Sequence, residues 1–185
     1  MPESKADLIL HPVRMRIITS LVGGHQRTAA EMSEQLSDVP QATLYRHLSK
    51  LVQGGVLNVI DERRVRGAVE KTYSLSAQQA TLTSEDLANA SADDHMRYFM
   101  TFLATLMGDF GRYLQQDTHD YLADGVGYRQ VPLYLSDAEF MEMVGRLNRI
   151  LGDYVSMGPA AGRRRRMFST IVIPEPQTTN HQQSE

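Results

Sequence analysis

The run PQATLYRHLSKLVQGGVL, residues 40–57, constrains the fold more than any other stretch of the chain. Pro40 suits a helix start, because the N–H it lacks is one that the first helical turn leaves unbonded. Leu44, His47, Leu48 and Leu51 follow on one stripe at helical spacing, so that stripe must be buried. Gly54-Gly55 stops the helix. The apolar period then changes. Leu57 and Val59, and after them Val65, Val69 and Tyr73, are β-type residues in alternating company, with Arg66-Gly67 between them as a hairpin turn.

Two shorter helices precede this run. The spacing predicts one over Pro12–Leu21, opened by its proline and closed by Gly23-Gly24, and a second over Ala29–Leu36 with Met32 and Leu36 inward. Thr28-Ala29-Ala30-Glu31 is a capping box, in which hydroxyl and carboxylate satisfy free amides at the start of the second helix. Helix, helix, turn, helix, hairpin is the winged helix-turn-helix order, and it fills residues 1–76.

Residues 77–92 are small and polar and read as a linker, with a short helical turn at Ser84–Leu87. The longest helical pattern of the chain runs from Asp93 to Gln116. Heptad positions a and d fall on Met96, Phe99, Leu103, Leu106, Phe110 and Tyr113, a seam suited to a second copy of the same helix. Val126–Leu135 reads as a strand that Pro132 confines to an edge or an irregular pairing. Ser136–Tyr154 reads as a helix opened by the capping box Ser136–Glu139, and Arg164–Ile173 as a last strand. Residues 175–185 are polar and aperiodic, a disordered tail. The expected fold is α+β and mainly helical: an N-terminal winged helix-turn-helix, a long dimerisation helix, and a small strand–helix–strand unit, the last two within residues 93–174.

With Leu44 and Leu48 inward, Ala42, Tyr45, Arg46, Ser49 and Lys50 point outward at 100° per residue, flanked by Gln41 and Thr43. A helix fits the major groove, where glutamine can bond an adenine edge, arginine a guanine edge, and small methyls a thymine methyl. Thr28, at a helix N-terminus, suits a phosphate. Arg63, Arg64 and Arg66 crowd the hairpin tip, where a wing would touch backbone or minor groove. Charge is unevenly shared. Residues 1–76 hold ten Lys/Arg and eight Asp/Glu, whereas residues 77–185 hold nine and fourteen.

This stretch resembles the winged helix-turn-helix of the ArsR-type family of bacterial regulators. The matching residues are His11-Pro12-Val13-Arg14, then Val39 to Leu48, then Leu51-Val52-Gln53-Gly54-Gly55-Val56-Leu57. The resemblance covers about residues 7–75 and implies sequence-specific binding of double-stranded DNA by a dimer on a two-fold operator, usually in repression. The chain departs from the founding metal sensors in having no cysteine. Asp93, Asp94, His95 and Asp117, His119, Asp120 are the only clusters that could replace thiolate ligands, and they lie at opposite ends of one helix, so a metal site would need an antiparallel dimer.

The absent cysteine also excludes disulfides and thiol catalysis. No Ser/His/Asp order, phosphate-cradling glycine loop or HExxH-like string points to an enzyme, and no metal or cofactor is expected. No stretch approaches the roughly 20 apolar residues of a membrane span, and a cytoplasmic location is the expectation. His47, among leucines, reads as structural. Methionines and aromatics concentrate beyond residue 76, and Met100, Met107, Tyr128, Tyr134, Phe140 and Phe168 would line a pocket for a small apolar or aromatic effector. The rival readings are a metal-responsive repressor and a winged helix that docks protein instead of DNA.

Overall fold

A computed structural model describes residues 4–65, 67–76 and 84–175. Arg66, residues 77–83 of the linker and nearly all of the tail lie outside the described residues.

The chain begins with a helix that its sequence pattern does not announce, α1 (Lys5–Ile9), capped by the Ser4 hydroxyl, which accepts from the Asp7 amide. It buries Ala6, Leu8 and Ile9. Helix α2 (Pro12–Leu21) starts at its proline, with the His11 ring accepting from the Val13 amide. A two-residue strand, β1 (Arg27–Thr28), leads into α3 (Ala29–Gln35) through the expected capping box: Glu31 N donates to Thr28 Oγ1 at 3.2 Å, and Thr28 N to Glu31 Oε2 at 2.7 Å.

Helix α4 (Gln41–Gln53) follows, with Pro40 as its N-cap. A Cβ on Gly54 would collide with the Leu8 side chain, so the glycine is what lets α1 lie against the end of α4. Strands β2 (Leu57–Val65) and β3 (Ala68–Leu75) form the expected hairpin, turned at Gly67 with φ +86°. Strand β3 sits between β2 and β1 in an antiparallel sheet, and its pairing of Thr72 with Thr28 ties the wing to the start of α3.

One hydrophobic core holds these parts together. Ile17 and Leu21 of α2, Met32 of α3, Leu44, Leu48 and Leu51 of α4, and Val56 and Leu57 at the wing entry are all fully buried. A bidentate pair from Arg16 to Asp38, at 2.8 and 2.6 Å, fastens α2 to the connection before α4.

After α5 (Ser84–Leu87), α6 (Ala92–Leu114) starts at a capping box formed by Ser91 and Asp94. It docks on the N-terminal domain through polar and small residues. Arg97 bonds Asp7, the Thr105 hydroxyl points to the sulfur of Met15, and Arg112 reaches Asp38 at 3.8 Å. Thr105 is the one residue of α6 that is buried.

Residues 126–135 and 163–175 depart from expectation. Neither run belongs to a strand, and each passes without a turn or bend. No described backbone–backbone hydrogen bond reaches residues 127–135 or 164–175. The strand–helix–strand unit is therefore not a sheet within one chain. Its helix is present as α7 (Asp137–Val155), with the Ser136–Glu139 capping box intact, but α7 buries none of its residues.

Candidate nucleic-acid interface

Helix α4 presents two chemically distinct sides. Leu44, His47, Leu48 and Leu51 are buried, whereas Gln41, Ala42, Tyr45, Arg46 and Lys50 are exposed and Thr43 is half-buried. This division matches the sequence pattern residue for residue. No acidic residue occurs between Asp38 and Asp61, so the outward side is uniformly neutral or basic. Arg46 makes no ion pair among the described residues and so keeps all its donors available.

The start of α4 carries no side-chain cap. The Gln41 and Ala42 amides, ahead of the Thr43 amide that bonds the Pro40 carbonyl, thus lie open at the positive end of the helix dipole, an arrangement that favours an anion. Thr28 differs. Its hydroxyl already accepts from Glu31, which leaves the O–H free to donate to a phosphate while the cap stays intact.

The wing separates its arginines by role. Arg63 donates to Asp61 at 2.6 Å, and across the ladder Lys71 meets Glu62 at 2.9 Å. Those charges are largely compensated within the hairpin. Arg64, opposite Val69, makes no ion pair among the described residues and is fully available. Arg66, expected at the same tip, lies outside the described residues.

Behind α4 sits a polar cluster that the sequence pattern only partly reveals. His47 is 5% exposed, and its ring lies 4.4 Å from that of His11. Burial, with the positive charge of Arg14 and Arg46 nearby, pushes its pKa down to about 4. The imidazole is therefore neutral at physiological pH and serves as packing, as expected. Arg14 was not anticipated there. It is 3% exposed, and its Nη2 donates to the Asp7 carbonyl at 2.8 Å. The available signal was its position one turn before Ile18 on the inward side of α2.

The remaining predicted residues divide between two places. At 100° per residue, Met96, Met100, Leu103, Met107, Phe110 and Leu114 lie opposite Thr105 and so face away from the N-terminal domain. Met107 is 75% exposed. Of the a/d seam, Met96 and Phe110 are exposed, while Phe99, Leu103, Leu106 and Tyr113 are half-buried. Tyr113 donates to Asp124 and stacks on Phe110 with centroids 6.0 Å apart.

The effector residues are not gathered into an enclosed cavity. Tyr128, Phe168, Met100 and Met107 are exposed, Tyr134 is 97% exposed, and Phe140 is half-buried. Tyr128 does reach Phe110 edge-on at 6.0 Å. Among the described residues no three His, Asp or Glu side chains converge on a metal position. Asp94 is committed to its capping box and to Arg97, and Asp120 accepts from the Leu122 and Ala123 amides. Among the described residues no helix is long and apolar enough to cross a membrane.

A helix–turn–helix with an outward polar face and an adjoining β-wing defines the class of this domain. Residues 9–60 match the family model of a helix-turn-helix domain, and that segment of the chain is one. Among solved structures, HlyU from Vibrio cholerae N16961 aligns with 40% of this chain and 72% of its own, at 23% sequence identity and a TM-score of 0.32, a likeness too slight to bear on function. No curated protein matches the chain in a sequence search.

Proposed function

We propose that the chain is a transcription regulator that reads double-stranded DNA through α4 and grips the backbone with its wing. The outward side of α4 carries this reading: five exposed residues suited to base edges or phosphates, with no carboxylate to repel a phosphate chain. Gln41, Ala42 and Thr43, at the end of the helix that enters the groove first, are placed for base edges. Arg46 can form the bidentate pair with guanine, while Lys50, Arg64 and Arg66 supply sequence-independent attraction, to which Arg63 adds on leaving Asp61. A protein-docking face would be more apolar at its centre, and this disfavours the interaction-module reading.

The same reading makes the protein a cytoplasmic, non-enzymatic homodimer. Helix α6 spends its polar side on the N-terminal domain and leaves a heptad-spaced apolar stripe uncovered. Two such stripes packed together would bring two copies of α4 to successive major grooves, about 34 Å apart, on a two-fold operator. Occupying that operator would repress transcription. An apolar effector bound between Met100, Met107 and the aromatics of residues 128–168 needs a second copy to close its site. It would regulate only by binding DNA-competent and DNA-incompetent dimers unequally.

Selection from a random pool of duplex DNA tests the proposal. The expected product is a palindrome with half-sites one helical turn apart. Failure to enrich any sequence would remove the DNA-reading role.

A further inference from the structure

The chain exposes far more surface than its mass accounts for. A compact monomer of 20.8 kDa has about 9,000 Å² of accessible surface, whereas this chain has 14579 Å². Granting full exposure to every residue outside the description still leaves an excess of about 3,000 Å² per chain. The excess lies in the C-terminal arm. From Gln115 to Glu175 not one residue is buried.

Two stretches of that arm have the composition of strands and none of the bonding. On one face of residues 127–135 stand Val131, Leu133 and Leu135, each more than 40% exposed. In residues 164–173, Met167, Ile171 and Ile173 alternate with Phe168 and Val172, all of them exposed. β-Branched and aromatic residues in alternation favour a pleated, half-buried surface. An uncovered apolar edge of this length would template aggregation, so proteins that carry one pair or cover it.

We infer that residues 127–135 and 164–173 are strands of an intermolecular sheet, completed by the same segments of a second copy. This rests on the homodimer proposed above and deepens it: the arm, and not α6 alone, forms the interface. Two observations favour a second copy over another partner. Strands are added by main-chain pairing, and a strand that meets its own copy across a two-fold axis is antiparallel without further adjustment. The excess area, doubled for two chains, reaches the range of obligate dimers, roughly 2,000–5,000 Å² and beyond, and it is continuous with the exposed stripe of α6. Pro132 sets the polarity. Having no N–H, it belongs where its strand faces outward at the sheet edge.

Amide hydrogen exchange on the full chain tests the inference, paired with sedimentation and with isotope-filtered contacts in a mixture of labelled and unlabelled chains. The expected result is a dimer in which amides of 127–135 and 164–173 exchange at least about a hundredfold more slowly than in an unstructured chain. Contacts between those amides and protons of the other copy should accompany the slow exchange. A dimer whose arm amides exchange at the unstructured rate would overturn the inference and leave the α6 dimer standing. Slow amides without cross-copy contacts would place the sheet within one chain and also overturn it. A monomer with unprotected arms would remove both this inference and the homodimer on which it rests.

Discussion

Acidification should destabilise the N-terminal domain through one side chain, His47. Its ring is buried against His11 on the inward side of α4, close to Arg14, Arg46 and Lys50, and holds its pKa near 4 instead of 6.5. The unfolded chain takes up the proton near pH 6.5 and the folded chain only near pH 4. The group therefore favours unfolding progressively as pH falls between those values, and its contribution to the pH dependence fades out about one unit above 6.5. The full difference corresponds to about 3 kcal/mol at pH 4, a large part of the 5–15 kcal/mol that typical domains possess. The assay is urea unfolding of the wild type and of His47→Leu at intervals from pH 7.5 to 4.5. The carboxylates of Asp7, Asp38 and Asp94 are also held below their usual range, chiefly by bonds from Arg97, Arg16 and Arg97 respectively, but both proteins share them. The variant should lose most of the slope between pH 6.5 and 4.5. An identical slope in the two proteins would refute the assignment of the pH dependence to His47.

Three other perturbations separate the parts of the molecule. Thr28→Ala breaks the capping box of α3 and should lower unfolding free energy by about 1 kcal/mol, seen as a lower Tm. Leu103→Glu places two unpartnered carboxylates in the α6 seam, and sedimentation at micromolar concentration should then show monomer. Arg64→Ala removes a cation of the wing that makes no ion pair among the described residues; it should weaken binding to every DNA sequence and reduce the slope of log affinity against log salt by about 1.

The N-terminal domain was legible because its signals are local. Pro40, the leucine stripe and Gly54-Gly55 bound α4 within a few residues, and Arg66-Gly67 marks the wing turn. Helix α1 escaped notice because five residues span little more than one turn, too short for a period, and Pro12 dominates the pattern beside it. Gly54, whose missing side chain makes room for Leu8, marks where it packs. The stripe on α6 is wide enough to permit two seams. The choice between them falls to Thr105, the residue of α6 buried against α2, and it turns the free face toward Met100 and Met107 and away from Phe99 and Leu106. In the arm, composition marks segments with strand preference, but pairing is a property of whatever lies beside them, and within the chain they meet Asp124 and the Phe110 ring, not a described strand.

Arg46 bears on the central claim most directly. It is exposed on α4, is unpaired among the described residues, and has no role in the core. Arg46→Ala should therefore fold and dimerise as the wild type does. In mobility-shift titrations against the selected operator and its single-base variants, the account predicts a loss of about 1–3 kcal/mol in specific binding and relaxed preference at one base pair per half-site, with the other positions unchanged. Unaltered affinity and unaltered preference would contradict the placement of α4 in the major groove.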